Sequence, residues 1–125
     1  RHKCADLFID TFPYGAHTTC SDSLWAGLPI VTLMGKSFAS RVGSSLLNAI
    51  NLEELITTTE KEYEKLIIEL ANNSYRLKEI RNKLHKNRFT KPLFDTKLYT
   101  KNIELAYTKI YEKHLNKLPT KNIDV

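Results

Sequence analysis

The sequence predicts an α/β fold in which parallel strands joined by crossover helices give way to a purely helical C-terminal part. Three observations predict it. Two short apolar runs, Leu7-Phe8-Ile9 and Pro29-Ile30-Val31-Thr32-Leu33, flank a stretch of helical periodicity, which is the pattern of a strand–helix–strand crossover. Both runs lack the apolar/polar alternation of a one-sided sheet, so they read as strands buried on both faces. From Thr59 onward the period is helical throughout, with no further strand-like run.

The elements follow in order. Residues 6–10 form the first strand. A Pro/Gly turn follows it, and residues 18–26 make the first helix. Gly27 is placed to end that helix, with Pro29 just beyond. Residues 29–33 are the second strand, closed by Gly35. A second helix is expected from about Ser37 to Asn48, with Phe38, Val42, Leu46 and Ala49 on one face. Leu52 to Thr58 is ambiguous, with Leu52 to Ile56 open to a short helical turn. Thr59-Glu60-Lys61-Glu62 fits a capping box, and Tyr63, Leu66, Ile67 and Leu70 form the stripe of the helix it starts. Asn72-Asn73-Ser74 interrupts that pattern. A further helix then carries Leu77, Ile80 and Leu84, and Thr90-Lys91-Pro92 ends it. Asp95 or Thr96 caps a last helix whose Tyr99, Ile103, Ala106, Tyr107 and Ile110 are expected to face inward. The polar tail after Leu115 is expected to be loose. Two strands do not make an independent sheet, so the chain reads as the C-terminal part of a larger α/β domain. Its start at Arg1-His2-Lys3-Cys4 suggests a piece of something longer.

Composition narrows the function. The chain has 125 residues, 42% hydrophobic and 26% charged, as in an ordinary globular domain. No apolar run approaches the roughly 20 residues of a membrane helix, so no membrane partner is expected. Two cysteines, Cys4 and Cys20, are too few for a disulfide framework or a metal site and suit a reducing cytoplasm. Cys20 is read as a packing residue. The net charge of +5 is uneven: residues 1–58 hold four Lys/Arg and five Asp/Glu, and residues 59–125 hold fifteen and nine. The basic residues are interleaved with Glu along helices. That is the pattern of a solvated surface rather than a one-sided nucleic-acid footprint, and no nucleic-acid partner is expected.

The chemistry concentrates at the first turn. Asp10-Thr11-Phe12-Pro13-Tyr14-Gly15-Ala16-His17-Thr18-Thr19 takes a strand through a Gly turn into a helix start. The first N–H groups of a helix have no partner, and the macrodipole adds positive potential, so such a start favours anions. Thr18 and Thr19 add hydroxyls there, and His17 adds a ring donor. Asp22 lies one turn in and can accept from a vicinal diol. A diphosphate next to a ribose offers both features. The same residues also have a plainer reading, in which Thr18 or Thr19 caps the helix, His17 is a turn residue and Asp22 is a first-turn charge. Lys36 and Arg41 read as a solvated loop lysine and a structural contact, Trp25 as packing.

The pattern widens beyond that turn. The string from Asp10 to Thr19, then Ser21 to Leu33 with its Leu24-Trp25-Ala26-Gly27-Leu28-Pro29, then Phe38-Ala39-Ser40-Arg41-Val42-Gly43-Ser44-Ser45-Leu46-Leu47, Pro92-Leu93-Phe94-Asp95 and the Tyr-rich last helix resemble one known lobe. It is the C-terminal catalytic lobe of the O-GlcNAc transferase and SPINDLY-type protein glycosyltransferases, glycosyltransferase family 41. The resemblance covers roughly residues 1–115.

The resemblance implies a GT-B fold of two Rossmann-like lobes, with the donor held mainly by the C-terminal one. It implies that His17, Thr18 and Thr19 bind the donor diphosphate, that Asp22 binds its ribose, and that Arg1 lies near the base by gap-free counting. Residues 1–58 would then be the nucleotide-sugar-binding part, 59–115 helices packing on the lobe, and 116–125 the tail. The implied reaction is inverting, metal-independent transfer from a UDP-sugar, UDP-GlcNAc foremost, to Ser or Thr of a protein acceptor. The catalytic residues are expected upstream, in an N-terminal catalytic lobe accompanied by tetratricopeptide repeats, so this piece alone is expected to be inactive. The alternatives are a non-catalytic protein-interaction module, and a related transferase using glucose or fucose donors or an Asn acceptor.

Overall fold

The computed structural model describes residues 2–124, and the chain folds as two compact units, one ending at Leu93 and the other starting at Phe94. The first unit is an α/β layer structure. Strand β1 (Phe8–Ile9) leads through a turn to helix α1 (Thr18–Ala26), strand β2 (Ile30–Leu33) and helix α2 (Val42–Ala49). Strand β3 (Ile56–Thr57) and helices α3 (Glu60–Asn72) and α4 (Ser74–Asn87) complete it. The sheet is parallel in the order β1-β2-β3. Its register sets Phe8 against Ile30 and Ile9 against Val31, then Thr32 against Ile56 and Leu33 against Thr57. Strand β2 therefore pairs one half of its length with each neighbour. Ile30 and Val31 are fully buried, as are Leu24 of α1, Leu47 of α2, Leu70 of α3 and Leu84 of α4, as expected for a strand covered on both faces.

Helix α1 has the predicted bounds. Gly27 ends it at φ 86°, its N–H donating to the Leu24 carbonyl at 3.1 Å while the Leu28 N–H reaches the Ser23 carbonyl at 2.9 Å. That is a Schellman closure, which requires a residue tolerant of the left-handed region. Cys20, on the same helix, is fully buried. Burial first, and the nearby Asp10 charge second, push its thiol up to about 12.

Helix α2 corrects the prediction at its start, since it begins at Val42 rather than near Ser37. Residues 35–41 instead close on themselves: the Gly35 N–H donates to the Ser40 carbonyl at 3.1 Å, the Ser40 hydroxyl to the Ser37 carbonyl at 3.0 Å, and the Arg41 N–H to the Phe38 carbonyl at 3.0 Å. Serine hydroxyls compete for backbone groups that a helix would use, and Phe38 is left 74% exposed instead of joining the core stripe. The ambiguous stretch holds the expected short helical turn, a 3-10 turn at Glu53–Leu55, and then β3, a third strand too short to show in the sequence pattern.

Helix α3 starts as its capping box predicts. Thr59 Oγ1 accepts from the Glu62 N–H at 3.2 Å, and Glu62 Oε2 accepts from the Thr59 N–H at 3.1 Å and the Thr58 N–H at 3.0 Å. Tyr63 and Leu70 are its buried residues. Helix α4 buries Ile80, Leu84 and Asn87, and the Asn87 amide donates to the Ile50 carbonyl at 2.7 Å.

The second unit holds helix α5 (Thr96–Leu115), capped by Asp95, whose Oδ1 accepts from the Leu98 N–H at 2.9 Å. Its apolar stripe does not turn inward as predicted. No residue of α5 is buried, and Tyr99, Tyr107 and Ile110 are each more than half exposed. A lone helix has no second surface of its own to bury against. Residues 118–124 carry no regular secondary structure. No helix among the described residues is long and apolar enough to cross a membrane.

Three outcomes are expected. Thr59→Ala destabilises the protein by about 1 kcal/mol, read from its denaturant midpoint, through loss of the α3 cap. The Thr58 N–H, then the Thr58 hydroxyl and the Thr59 groups, hold the Glu62 carboxyl below its ordinary 4.5. Its contribution is therefore present above that value and is lost as pH falls through the lowered native value; Glu62→Gln should flatten that acid limb in pH-dependent melts. At pH 8, a mild alkylating reagent should label exposed Cys4 and spare Cys20 in the folded protein, because only the thiolate reacts. Equal labelling of both would contradict the buried, protonated Cys20.

Candidate functional site

The site begins with the residue that ends β1. The Asp10 N–H donates to the Val31 carbonyl at 3.0 Å, continuing the ladder one step past the assigned strand. Its side chain turns inward and is only 3% exposed. Oδ1 accepts from the Thr11 N–H at 2.8 Å and from the Ala16 N–H at 2.7 Å, while Oδ2 accepts from the Thr32 hydroxyl at 2.7 Å. The Asp10 carbonyl accepts from the Tyr63 hydroxyl of α3. A buried carboxylate is tolerated only when its lone pairs are met, and here three donors meet them.

The turn 11–16 closes around that carboxylate. Thr11 Oγ1 donates to the Tyr14 carbonyl at 2.8 Å, the Phe12–Pro13 peptide is cis, and the Gly15 N–H donates to the Ala39 carbonyl at 3.1 Å. Two glycines stand where the chains crowd. A Cβ on Gly15 would lie 3.1 Å from Asp10 Oδ2 and 3.3 Å from the Ala39 carbonyl; one on Gly43 would lie 3.0 Å from Thr32 Oγ1 and 3.1 Å from Asp10 Oδ2.

The turn delivers His17 to the N-cap of α1. Its side chain does not cap the helix. Its Nε2 instead lies 3.2 Å from the Ala39 carbonyl, and since a carbonyl only accepts, Nε2 carries the proton and Nδ1 is the acceptor of the neutral ring. The ring stacks on Tyr14 at 5.1 Å and meets the edge of Phe38 at 5.9 Å. Thr18 and Thr19 follow, both exposed in the run of residues that opens the helix. The first backbone bond of the helix is Ser21 N–H to the His17 carbonyl at 3.1 Å, so the N–H groups of Thr18, Thr19 and Cys20 precede it and belong to the unsatisfied helix start. Asp22 is exposed and stands beyond the first turn.

Two parts of the plain reading of these residues are thereby corrected. Neither threonine occupies the cap position, which His17 holds, and Asp22 is not a first-turn charge. His17, Thr18 and Thr19 stand at the start of α1 and Asp22 further along the same helix; Arg1 lies outside the described residues. Arg41 makes a local contact, its Nε donating to the Ser37 carbonyl at 3.3 Å. Lys36 borders a cleft of about 440 Å³ at the C-terminal ends of β2 and β3. Trp25 is not core packing as predicted but half-exposed, with its ring against Phe89 at 6.0 Å.

The sequence pattern gives Asp10 no role and does not mark Thr32, Tyr63 or Ala39, which the structure brings to the candidate site. The one available signal was a lone carboxylate closing an apolar strand just before a Pro/Gly turn, where an acidic side chain is costly unless it is used.

Comparison with known proteins places this geometry. Residues 1–103 match the family model of glycosyl transferase family 41. SEC of Arabidopsis thaliana is 39% identical over 115 residues, covering 91% of this chain and 12% of that protein. SPINDLY of Hordeum vulgare is 37% identical over 113 residues, covering 90% of this chain and 12% of its own length. The UDP-N-acetylglucosamine–peptide N-acetylglucosaminyltransferase of Caenorhabditis elegans is 33% identical over 98% of this chain and 11% of its own length. The solved K341M mutant of Thermobaculum terrenum O-GlcNAc transferase superposes with a TM-score of 0.79 at 34% identity, over 85% of this chain and 20% of that one. The chain thus spans about an eighth of the curated relatives it matches, and the expected α/β part of a GT-B lobe is what it forms. With both sequence and fold in agreement over most of its length, the chain belongs to glycosyl transferase family 41.

Proposed function

We propose that this chain is the donor-binding part of an inverting protein O-glycosyltransferase that moves a sugar, GlcNAc foremost, from its UDP carrier to a Ser or Thr hydroxyl. The observation that carries the reading is the open N-terminus of α1, where His17, Thr18 and Thr19 present ring, N–H and hydroxyl groups and Asp22 stands further along the same helix. Its family and the name of its C. elegans relative supply the chemistry.

In that role the N–H and hydroxyl groups of Thr18 and Thr19 receive the diphosphate. With Nε2 engaged by Ala39, the His17 ring meets a phosphate oxygen through Nδ1, which donates when the ring is protonated. Asp22 accepts from the ribose hydroxyls, and Arg1 lies toward the base. During transfer the bond between the sugar C1 and the β-phosphate oxygen breaks and a bond from the acceptor oxygen to C1 forms. The diphosphate leaves with the electron pair, and the acceptor's proton passes to a base upstream of this chain. Donors already aimed at the departing charge stabilise that step, with no metal required in the scheme. Residues 1–58 serve the donor, and α3 and α4 belong to the same compact unit. An N-terminal catalytic lobe and tetratricopeptide repeats complete the protein, and two free cysteines suit a reducing cytoplasm.

In the full-length protein, His17→Ala should lower turnover by at least about tenfold, and Asp22→Ala and Thr19→Ala should each weaken UDP binding by about tenfold, on the scale of lost donor contacts. Wild-type kinetics in His17→Ala, or unchanged UDP titrations in the other two, would remove these residues from the donor site. The 125-residue chain alone should show no transfer; measurable transfer by it would overturn the assignment of the base to an upstream lobe.

A further inference from the structure

The residues proposed to meet the diphosphate lie on one short stretch, and the group that fixes this stretch never faces solvent. Asp10 Oδ1 accepts from Thr11 N–H and Ala16 N–H, the first and last amides of the turn, at 2.8 and 2.7 Å. Ala16 is joined directly to His17. Oδ2 is tied to the Thr32 hydroxyl of β2 at 2.7 Å, and the Asp10 carbonyl to the Tyr63 hydroxyl of α3. The first turn of α1 is thus referenced to the sheet and to α3 through one residue. Short bonds to a carboxylate are of the stronger, charge-assisted kind. A side chain added at Gly15 or Gly43 would press on Oδ2, its Cβ lying 3.1 Å away in each case.

We infer that Asp10 is a positioning residue for the donor diphosphate: it touches no part of the donor and sets where His17 and the N–H groups of Thr18 and Thr19 stand when the donor arrives. The inference rests on the donor-site reading above. It separates Asp10 from a residue that only stabilises the core. A displaced helix start loses the diphosphate contacts specifically, whereas general loosening weakens every part of the donor alike.

The test compares UDP and uridine affinities, by titration of the full-length protein, for wild type, Asp10→Ala, Asp10→Asn and Thr32→Val. Asp10→Ala should lower UDP affinity by at least about tenfold and leave uridine affinity within about twofold, as expected when oriented donors are misplaced. Asp10→Asn, whose amide oxygen still accepts from Thr11 and Ala16, should recover UDP affinity to within about threefold of wild type. Thr32→Val, which keeps shape and removes one anchor, should lose about threefold for UDP alone. Unchanged UDP affinity in Asp10→Ala, or equal losses for UDP and uridine, would overturn the inference. If Asp10→Ala does not fold, Thr32→Val decides by the same comparison. Failure of the wild type to bind UDP, or indifference of UDP binding to Thr19→Ala, would instead overturn the donor-site reading itself.

Discussion

One buried carboxylate holds the functional end of this chain together. Asp10 ends β1 and collects donors from its own turn and from β2, while its carbonyl is fixed by α3. Removing the carboxylate would strand the buried Thr32 hydroxyl, at a cost on the order of 1–3 kcal/mol, and take their acceptor from two part-buried amides. The same charge also contributes to raising the Cys20 thiol, after burial. The glycines at 15 and 43 follow from it, since each lies where a side chain would press on Oδ2. The turn, the first helix and the start of α2 are thus arranged around one ionised group.

The proposed anion site built on this arrangement uses geometry more than charge. Residues 1–58 carry a net charge of −1, so the half of the chain that holds the proposed site brings no excess of basic charge to a diphosphate. What it offers is a helix start whose first N–H groups lack intrahelical partners, two threonine hydroxyls and one imidazole. The imidazole is held edge-on by Phe38, face-on by Tyr14, and by a bond from Nε2 to Ala39. Fixed dipoles of this kind need little rearrangement as charge develops on a leaving group. Basic residues after position 58 pair with acidic ones, as Arg76 does with Glu69 at 2.9 Å and Lys83 with Glu54 at 2.7 Å.

How much was legible in the sequence depended on how local each feature's cause is. The bounds of α1 and the capping box of α3 were readable because Gly27, Thr59 and Glu62 act within a few residues of themselves. The start of α2 was not, because serines at 37 and 40 redirect the backbone into a turn that apolar spacing does not register. Strand β3 has two residues and exists by pairing with β2, a contact no local pattern encodes. The stripe on α5 was visible, but a stripe does not say whether a surface exists to cover it. At the candidate site, the residues at the helix start stand out by their motif, whereas Asp10, Thr32 and Tyr63 are joined by contacts more than twenty residues apart in sequence.

The most direct measurement of the central claim is a crystal structure of the full-length protein with UDP bound. The account predicts diphosphate oxygens within hydrogen-bonding distance of the Thr18 and Thr19 N–H groups, the ribose hydroxyls on Asp22, and the bond from Asp10 to the Ala16 N–H unchanged. UDP ordered elsewhere, for instance in the cleft beside Lys36 with the start of α1 left to solvent, would contradict it.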